Sequence, residues 1–157
     1  MSLYIATINW TNSGPDFLAN KYSREHHWLF DGGVTVPASA SPQIVPEPWS
    51  VLAHVDPEEA FVASLSSCHM LFFLSIAAKR GYVVESYRDE AQGIMDKNAE
   101  GKMVMTIVTL NPHTRFSGDR IPDQQTLEKI HHHAHDLCFI ANSVLTTIDV
   151  IPVLVTG

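Results

Sequence analysis

Two cysteines, Cys68 and Cys138, are the side chains of this sequence best suited to covalent chemistry. A thiolate is a strong nucleophile, and a second thiol within reach turns an oxidised first sulfur into a disulfide. Such a pair needs Cα atoms within about 7 Å. The separation along the chain leaves that distance open, and the ordinary role of a buried cysteine is that of a small core hydrophobe. The surroundings of Cys68 are polar, however. Ser66, Ser67 and His69 interrupt an otherwise apolar run. Polar groups inside a core are costly unless they are paired or put to use.

The histidines offer a second chemistry. His131, His135 and Cys138 fall at i, i+4 and i+7, one face of a helix if the helix continues, and His69 adjoins Cys68. Imidazole and thiolate are good zinc ligands, so a metal site is one reading. No HExxH and no paired CxxC accompanies them. The competing reading has His135 orienting the region of the second cysteine while His131, His132 and His133 are largely exposed. Gly32-Gly33 is too short for a phosphate-binding loop, and no cofactor is expected.

These residues have to be placed by secondary structure. Residues 3–10, 22–31 and 33–39 carry β-branched and aromatic residues in loose alternation and read as strands, with a hairpin turn at Asp31-Gly32-Gly33. Pro37, Pro42, Pro46 and Pro48 stiffen the loop that follows. Asp56, Pro57 and Glu59 form a helix start with a capping-box pattern, and Lys79, Arg80 and Gly81 form its end. That helix carries Cys68. It is apolar nearly all round, which predicts burial on both flanks. Residues 82–97 and 102–116 read as long strands joined near 98–101. Pro122-Asp123 starts a second helix with an apolar stripe of Leu127, Ile130, Ala134 and Leu137. A short helix is expected near Cys138, and a closing strand over 146–156 that Pro152 pushes toward an edge. Strand runs followed by helices predict an α+β fold, and the absence of a linker or repeat predicts a single domain over residues 1–157.

Composition narrows the function. The 157 residues are 45% apolar and 17% charged, enough for a packed core. The net charge of −7 argues against binding of DNA or RNA, which requires a basic surface. The apolar stretch 60–78 approaches the length of a membrane span, but its serines, Cys68 and His69 favour a buried helix of a soluble protein. The N-terminus has no positive region before an apolar run, so a cytoplasmic location is expected.

The run from Asp56-Pro57-Glu58-Glu59-Ala60 to Ser66-Ser67-Cys68 resembles the first signature helix of the OsmC/Ohr family of thiol peroxidases. The run Ala134-His135-Asp136-Leu137-Cys138 to Ala141-Asn142-Ser143 resembles that family's second signature. Residues 22–33 are similar to the opening hairpin of one branch. Order and spacing match over roughly residues 20–157. The resemblance implies antiparallel sheets packed around two main helices in an intertwined homodimer. It implies reduction of organic hydroperoxides, and possible action on hydrogen peroxide, with Cys68 as peroxidatic nucleophile and Cys138 as resolving thiol. The resulting Cys68–Cys138 disulfide would be reduced by an external dithiol, for which a lipoyl type is one candidate.

The family's motif glutamate falls on Glu58. At 1.5 Å per residue it lies roughly 15 Å from Cys68 along one helix, so it acts on that thiol only through an intermediary or across a dimer interface. Its bland role is to complement the helix N-terminus. In better-known branches the thiolate-holding arginine follows the glycine turn. Here Val34 follows Gly33, and Arg24, on the strand before the turn, is the substitute; its bland role is that of a solvated strand residue. Phe139 stands where many relatives have proline. Trp28, Trp49 and Phe139 are candidates for an apolar mouth. Two other readings stay open: a non-catalytic stress or ligand-binding relative, and a zinc protein built on the histidines.

Overall fold

The structure is a computed structural model and describes residues 1–156. The chain divides into two compact units, Met1–Ala60 and Phe61–Gly157. The first unit holds an antiparallel sheet of β1 (Ala6–Asn9), β2 (His26–Phe30) and β3 (Thr35–Ala38) in the order β1-β2-β3. The turn between β2 and β3 places Gly33 at φ +87°, a conformation that glycine adopts without steric cost. The strands are shorter than the sequence suggests. β2 begins only at His26, because the amide of Arg24 is donated to the Trp49 carbonyl of the proline-rich loop (2.8 Å) instead of to a sheet neighbour.

Helix α1 (Pro57–Lys79) opens with the capping box expected of it. The Glu59 amide donates to Asp56 Oδ1 at 2.7 Å, and the Asp56 amide donates to Glu59 Oε2 at 3.4 Å. At its other end Gly81, at φ +77°, closes the helix, with the Tyr82 amide donated to the Ala77 carbonyl.

In the second unit the two long strands expected over 82–97 and 102–116 are each broken in two. β4 (Val83–Asp89) pairs with β7 (Pro112–Ser117), while β5 (Gln92–Lys97) pairs with β6 (Met103–Leu110). The break has a local cause. Asp89 Oδ1 accepts the Asn111 amide at 2.6 Å, Asn111 Nδ2 donates to the Glu90 carbonyl, and Pro112 has no amide to give. Side chains thus replace the ladder at this level, and the hairpin turns a corner from one sheet into another. The closing strand turns the same corner. β8 (Thr147–Val150) lies parallel to β6 and β9 (Val153–Leu154) parallel to β7, with Ile151 and Pro152 between them. Both pieces are edge strands, as Pro152 suggests, but the sheets β5-β6-β8 and β4-β7-β9 are mixed rather than purely antiparallel. The architecture is α+β, with α1 and α2 (Gln124–Leu137) as its two main helices.

Two apolar clusters fill the second unit. Phe73, Ile76 and Ala77 of α1 pack with Phe116 and with Leu127, Ile130 and Ala134 of α2. Leu65 packs with Val108 and Leu110. Only one flank of α1 is therefore buried in the single chain, on a line through Leu65, His69, Phe73 and Ile76. The opposite flank is exposed, Leu71 at 61%, so the expectation of burial on both sides fails at this level; that flank is built largely from small residues such as Ala63, Ser64, Ser67 and Ser75. By length and composition α1 could cross a membrane, the one such helix among the described residues.

The capping box predicts a defined stability cost. Asp56→Ala should lower unfolding stability by about 1 kcal/mol in urea titration, and Asp56→Ser should recover most of it.

Candidate active site

Helix α1 and the end of α2 bring the two cysteines together. Cys68 sits mid-helix on α1 and is half-buried, while Cys138 caps the C-terminus of α2 and is 1% exposed. Cys68 stands near enough to Cys138 to act on its thiol, and no disulfide joins them. Burial, and after it the neighbouring Cys68 side chain, push the Cys138 thiol up to about 11, although the Ala141 and Ile140 amides pull the other way. The Ala141 N–H donates to Cys138 Sγ at 3.4 Å.

The segment after Cys138 is a tightly bonded turn. It continues into a single 3-10 turn, Ala141–Ser143, where the sequence suggests a short helix. Asn142 Nδ2 donates to the carbonyls of Asp136 (2.9 Å) and Cys138 (3.0 Å), and Ser143 Oγ donates to that of Phe139 (2.7 Å). The Phe139 ring meets Phe72 of α1 edge-on, with centroids 5.0 Å apart. Phe139 thus ties the turn after Cys138 to the helix that carries Cys68.

Arg24 and Glu58 belong to the first unit. Arg24 Nη1 donates to the carbonyls of Asn20 (2.9 Å) and Tyr22 (2.6 Å), and the guanidinium lies 3.7 Å from the centroid of the Tyr22 ring. It precedes β2 rather than lying on it, and it is anchored rather than solvated. It borders a cavity of about 480 Å³ lined also by Ile8, Trp10, Phe17, Tyr22 and Pro57. Trp28, expected at an apolar mouth, donates its indole N–H to His26 Nε2 at 2.9 Å. Glu58, in the first turn of α1, has an enclosed Oε2 without a hydrogen-bond partner. No ion pair joins Arg24 and Glu58 among the described residues.

The histidines depart furthest from the sequence reading. His132 and His133 are exposed as expected, but His131 is 1% exposed and so is His69. His69 Nε2 and His131 Nδ1 share a hydrogen bond at 2.9 Å, and the His131 ring stacks on Phe73 at 4.1 Å. His131 lies on the same stripe as Leu127, Ile130 and Ala134, a spacing that marks it as a core residue. The stripe ends on buried Cys138 rather than on Leu137, which is 42% exposed. Among the described residues no three His, Cys, Asp or Glu side chains converge as metal ligands, so the zinc reading of His131, His135 and Cys138 loses its geometric basis.

The OsmC-like protein family matches residues 52–152, a span that contains both cysteines. The chain belongs to that family. An OsmC-like protein of unknown function from Vibrio cholerae has a solved structure that is 56% identical, covers 98% of this chain and 100% of its own, and superposes with a TM-score of 0.95. Two organic hydroperoxide resistance proteins share the fold at lower identity. OsmC from Legionella pneumophila is 16% identical with a TM-score of 0.63, covering 99% of this chain and 100% of its own. OhrB of Bacillus subtilis is 17% identical with a TM-score of 0.61, covering 98% and 100%. No functionally curated protein matches by sequence. In this OsmC-like chain both cysteines lie within the matched span, and Cys68 is a neighbour of Cys138.

Burial holds the two inner histidines neutral. His69 is lowered to about 4 by burial and then by the proximity of His135, and His131 to about 3 by burial and then by His69. The unfolded chain, with ordinary imidazoles near 6.5, binds protons below that value that the folded chain refuses. Stability is therefore full above about pH 6.5 and falls as the pH drops toward 4. Each histidine should contribute a slope of about 1 kcal/mol per pH unit in that window. Urea titrations of His131→Phe should show a flatter acid limb than those of the parent protein.

Proposed function

We propose that this protein is a cysteine-dependent peroxidase that reduces organic hydroperoxides. The observation that carries this reading is the proximity of the Cys68 and Cys138 thiols. Two cysteines far apart in sequence have no packing need to meet, whereas a peroxidatic and a resolving thiol must. The kinship with hydroperoxide resistance proteins supports the same chemistry.

Cys68 is the more accessible sulfur and takes the nucleophilic role. Its thiolate attacks one peroxide oxygen, the O–O bond breaks, and the departing alkoxide takes up a proton and leaves as an alcohol. The Cys68 sulfenic acid then receives the sulfur of Cys138, which loses its proton. Hydroxide leaves as water, and the Cys68–Cys138 disulfide closes. An external dithiol, with a lipoyl-type one as candidate, reduces the bridge by exchange. The whole chain, residues 1–157, serves as one OsmC-like domain of a cytoplasmic homodimer. Glu58 supports the dimer: its enclosed carboxylate oxygen lacks a partner in one chain, and buried polar atoms are seldom left so. A second copy would supply that partner, and it would cover the small-residue flank of α1. Arg24, always charged and held by two carbonyls, is the cation assigned to stabilise the Cys68 thiolate.

Cys68→Ser should reduce tert-butyl hydroperoxide consumption to background, with circular dichroism unchanged. Cys138→Ser should consume about one equivalent per chain and then over-oxidise at Cys68, read by mass spectrometry. Full turnover by Cys68→Ser would overturn the peroxidase reading.

A further inference from the structure

Cys68 is bracketed on its own face of α1. Leu65 stands three residues before it and Phe72 four residues after it, the spacings that place side chains on a common helix face. The turn that follows Cys138 is seated on both brackets. At its far end Ala141 and Val144 pack against the cluster of Leu65, Val108 and Leu110. At its near end the Phe139 ring meets the Phe72 ring edge-on, with centroids 5.0 Å apart and planes at 89°. Phe72 is a fixed support, since it packs in turn against the cluster of Phe73, Leu127 and Ile130. A segment that rests one turn before and one turn after Cys68 runs along the face that carries its sulfur. Packing thus sets Cys138 beside Cys68.

The two seats are unequal. The far one is made with a cluster that includes Val108 and Leu110 of β6, both fully enclosed. The near one is a single ring against another, and Phe139 remains 71% exposed. Little apolar area is removed from water there, so the edge-to-face geometry supplies much of what holds Phe139 in place. Cys138 is the residue bonded to it. The Cys138 amide returns to the His135 carbonyl at 3.2 Å and ends α2. The cysteine is therefore pinned by a backbone bond on its helix side and by the Phe139 ring on its turn side. The hydrogen bonds of Asn142 and Ser143 keep the turn in shape, but they run within the segment and do not fasten it to α1.

We propose that Phe139 is a positioning residue that holds Cys138 against Cys68 and so decides whether the oxidised Cys68 is resolved or oxidised further. This rests on the reading of Cys68 and Cys138 as attacking and resolving thiols. Two reactions compete for the Cys68 sulfenic acid. In the first, the Cys138 sulfur bonds to it and gives up its proton, the S–O bond breaks, and hydroxide leaves as water. In the second, another hydroperoxide transfers one oxygen to the same sulfur. Its O–O bond breaks, it departs as an alcohol, and Cys68 becomes a sulfinic acid. The first reaction is internal, and its rate follows the share of time that Cys138 spends in place. The second rises in proportion to hydroperoxide. The Phe72–Phe139 contact therefore sets the hydroperoxide concentration at which the two rates are equal.

The test measures that concentration. Fully reduced protein is mixed with a range of tert-butyl hydroperoxide concentrations without reductant, and mass spectrometry counts disulfide against sulfinic acid. Phe139→Ala should lower the concentration that gives equal amounts by roughly three- to tenfold, the weight of one edge-to-face pair. Phe139→Tyr keeps the ring and should stay near the parent. Phe72→Leu keeps apolar volume in the core and should fall with Phe139→Ala. The double variant should fall no further than either single one, because the same contact is removed only once. A folded Phe139→Ala protein with the parent balance would overturn the proposal, and so would losses that add in the double variant. Diamide, which oxidises two thiols to a disulfide and is itself reduced to a hydrazine, separates this role from the peroxidase reading. If diamide joins the sulfurs three- to tenfold more slowly in Phe139→Ala while the hydroperoxide leaves the parent protein reduced, the peroxidase reading fails and the positioning role stands. If neither reagent joins the two sulfurs of the parent, both fall.

Discussion

The Cys68 and Cys138 thiols approach each other where α1 meets the C-terminus of α2, and the packing of the two helices sets that approach. A cysteine in mid-helix has its backbone fixed by neighbouring turns. A cysteine at a helix C-cap does not, because the last carbonyls of a helix lack internal partners and the chain there is free to turn. One sulfur is thus held rigidly while the other lies on a hydrogen-bonded turn, clamped by Asn142 and steadied by the Phe72–Phe139 contact.

The packing that holds the helices together is partly polar. Phe73, Ile76 and Ala77 supply the apolar contact with α2. One turn nearer the sulfurs, two histidines occupy places that a leucine would fill at lower cost. Their mutual hydrogen bond satisfies one nitrogen on each ring and leaves the other bare of partners. Desolvation fixes both rings as neutral, which makes this part of the core sensitive to acid. The fold therefore accepts a local loss of stability in the part of the core that adjoins Cys68.

The corner at Asp89 and Asn111 has a related role. By taking the Asn111 amide on a carboxylate, Asp89 ends one ladder and lets the hairpin pass into a second sheet. The same carboxylate accepts the Ser66 hydroxyl of α1 at 2.5 Å. Ser66, one of the polar residues that interrupt the apolar run, thereby ties the cysteine helix to the sheet corner two residues before Cys68.

Local chemistry in the sequence determined much of this protein. The capping box at Asp56 and Glu59, the closure at Gly81, the turn at Gly33 and the Asp123 cap of α2 were legible because each depends on residues a few positions apart. The two signatures around Cys68 and Cys138 were legible for the same reason. Only the tertiary structure decided that the two thiols are neighbours, that Arg24 is anchored on two carbonyls, and that the long strands break at a corner. It alone placed His131 in the core against His69, although the helical stripe through Leu127, Ile130 and Ala134 pointed there. A histidine is compatible with either face of a helix, and its side is settled by partners remote in sequence, here a residue of α1. Periodicity reports which face of a helix is apolar; it carries no information about the element that face will meet.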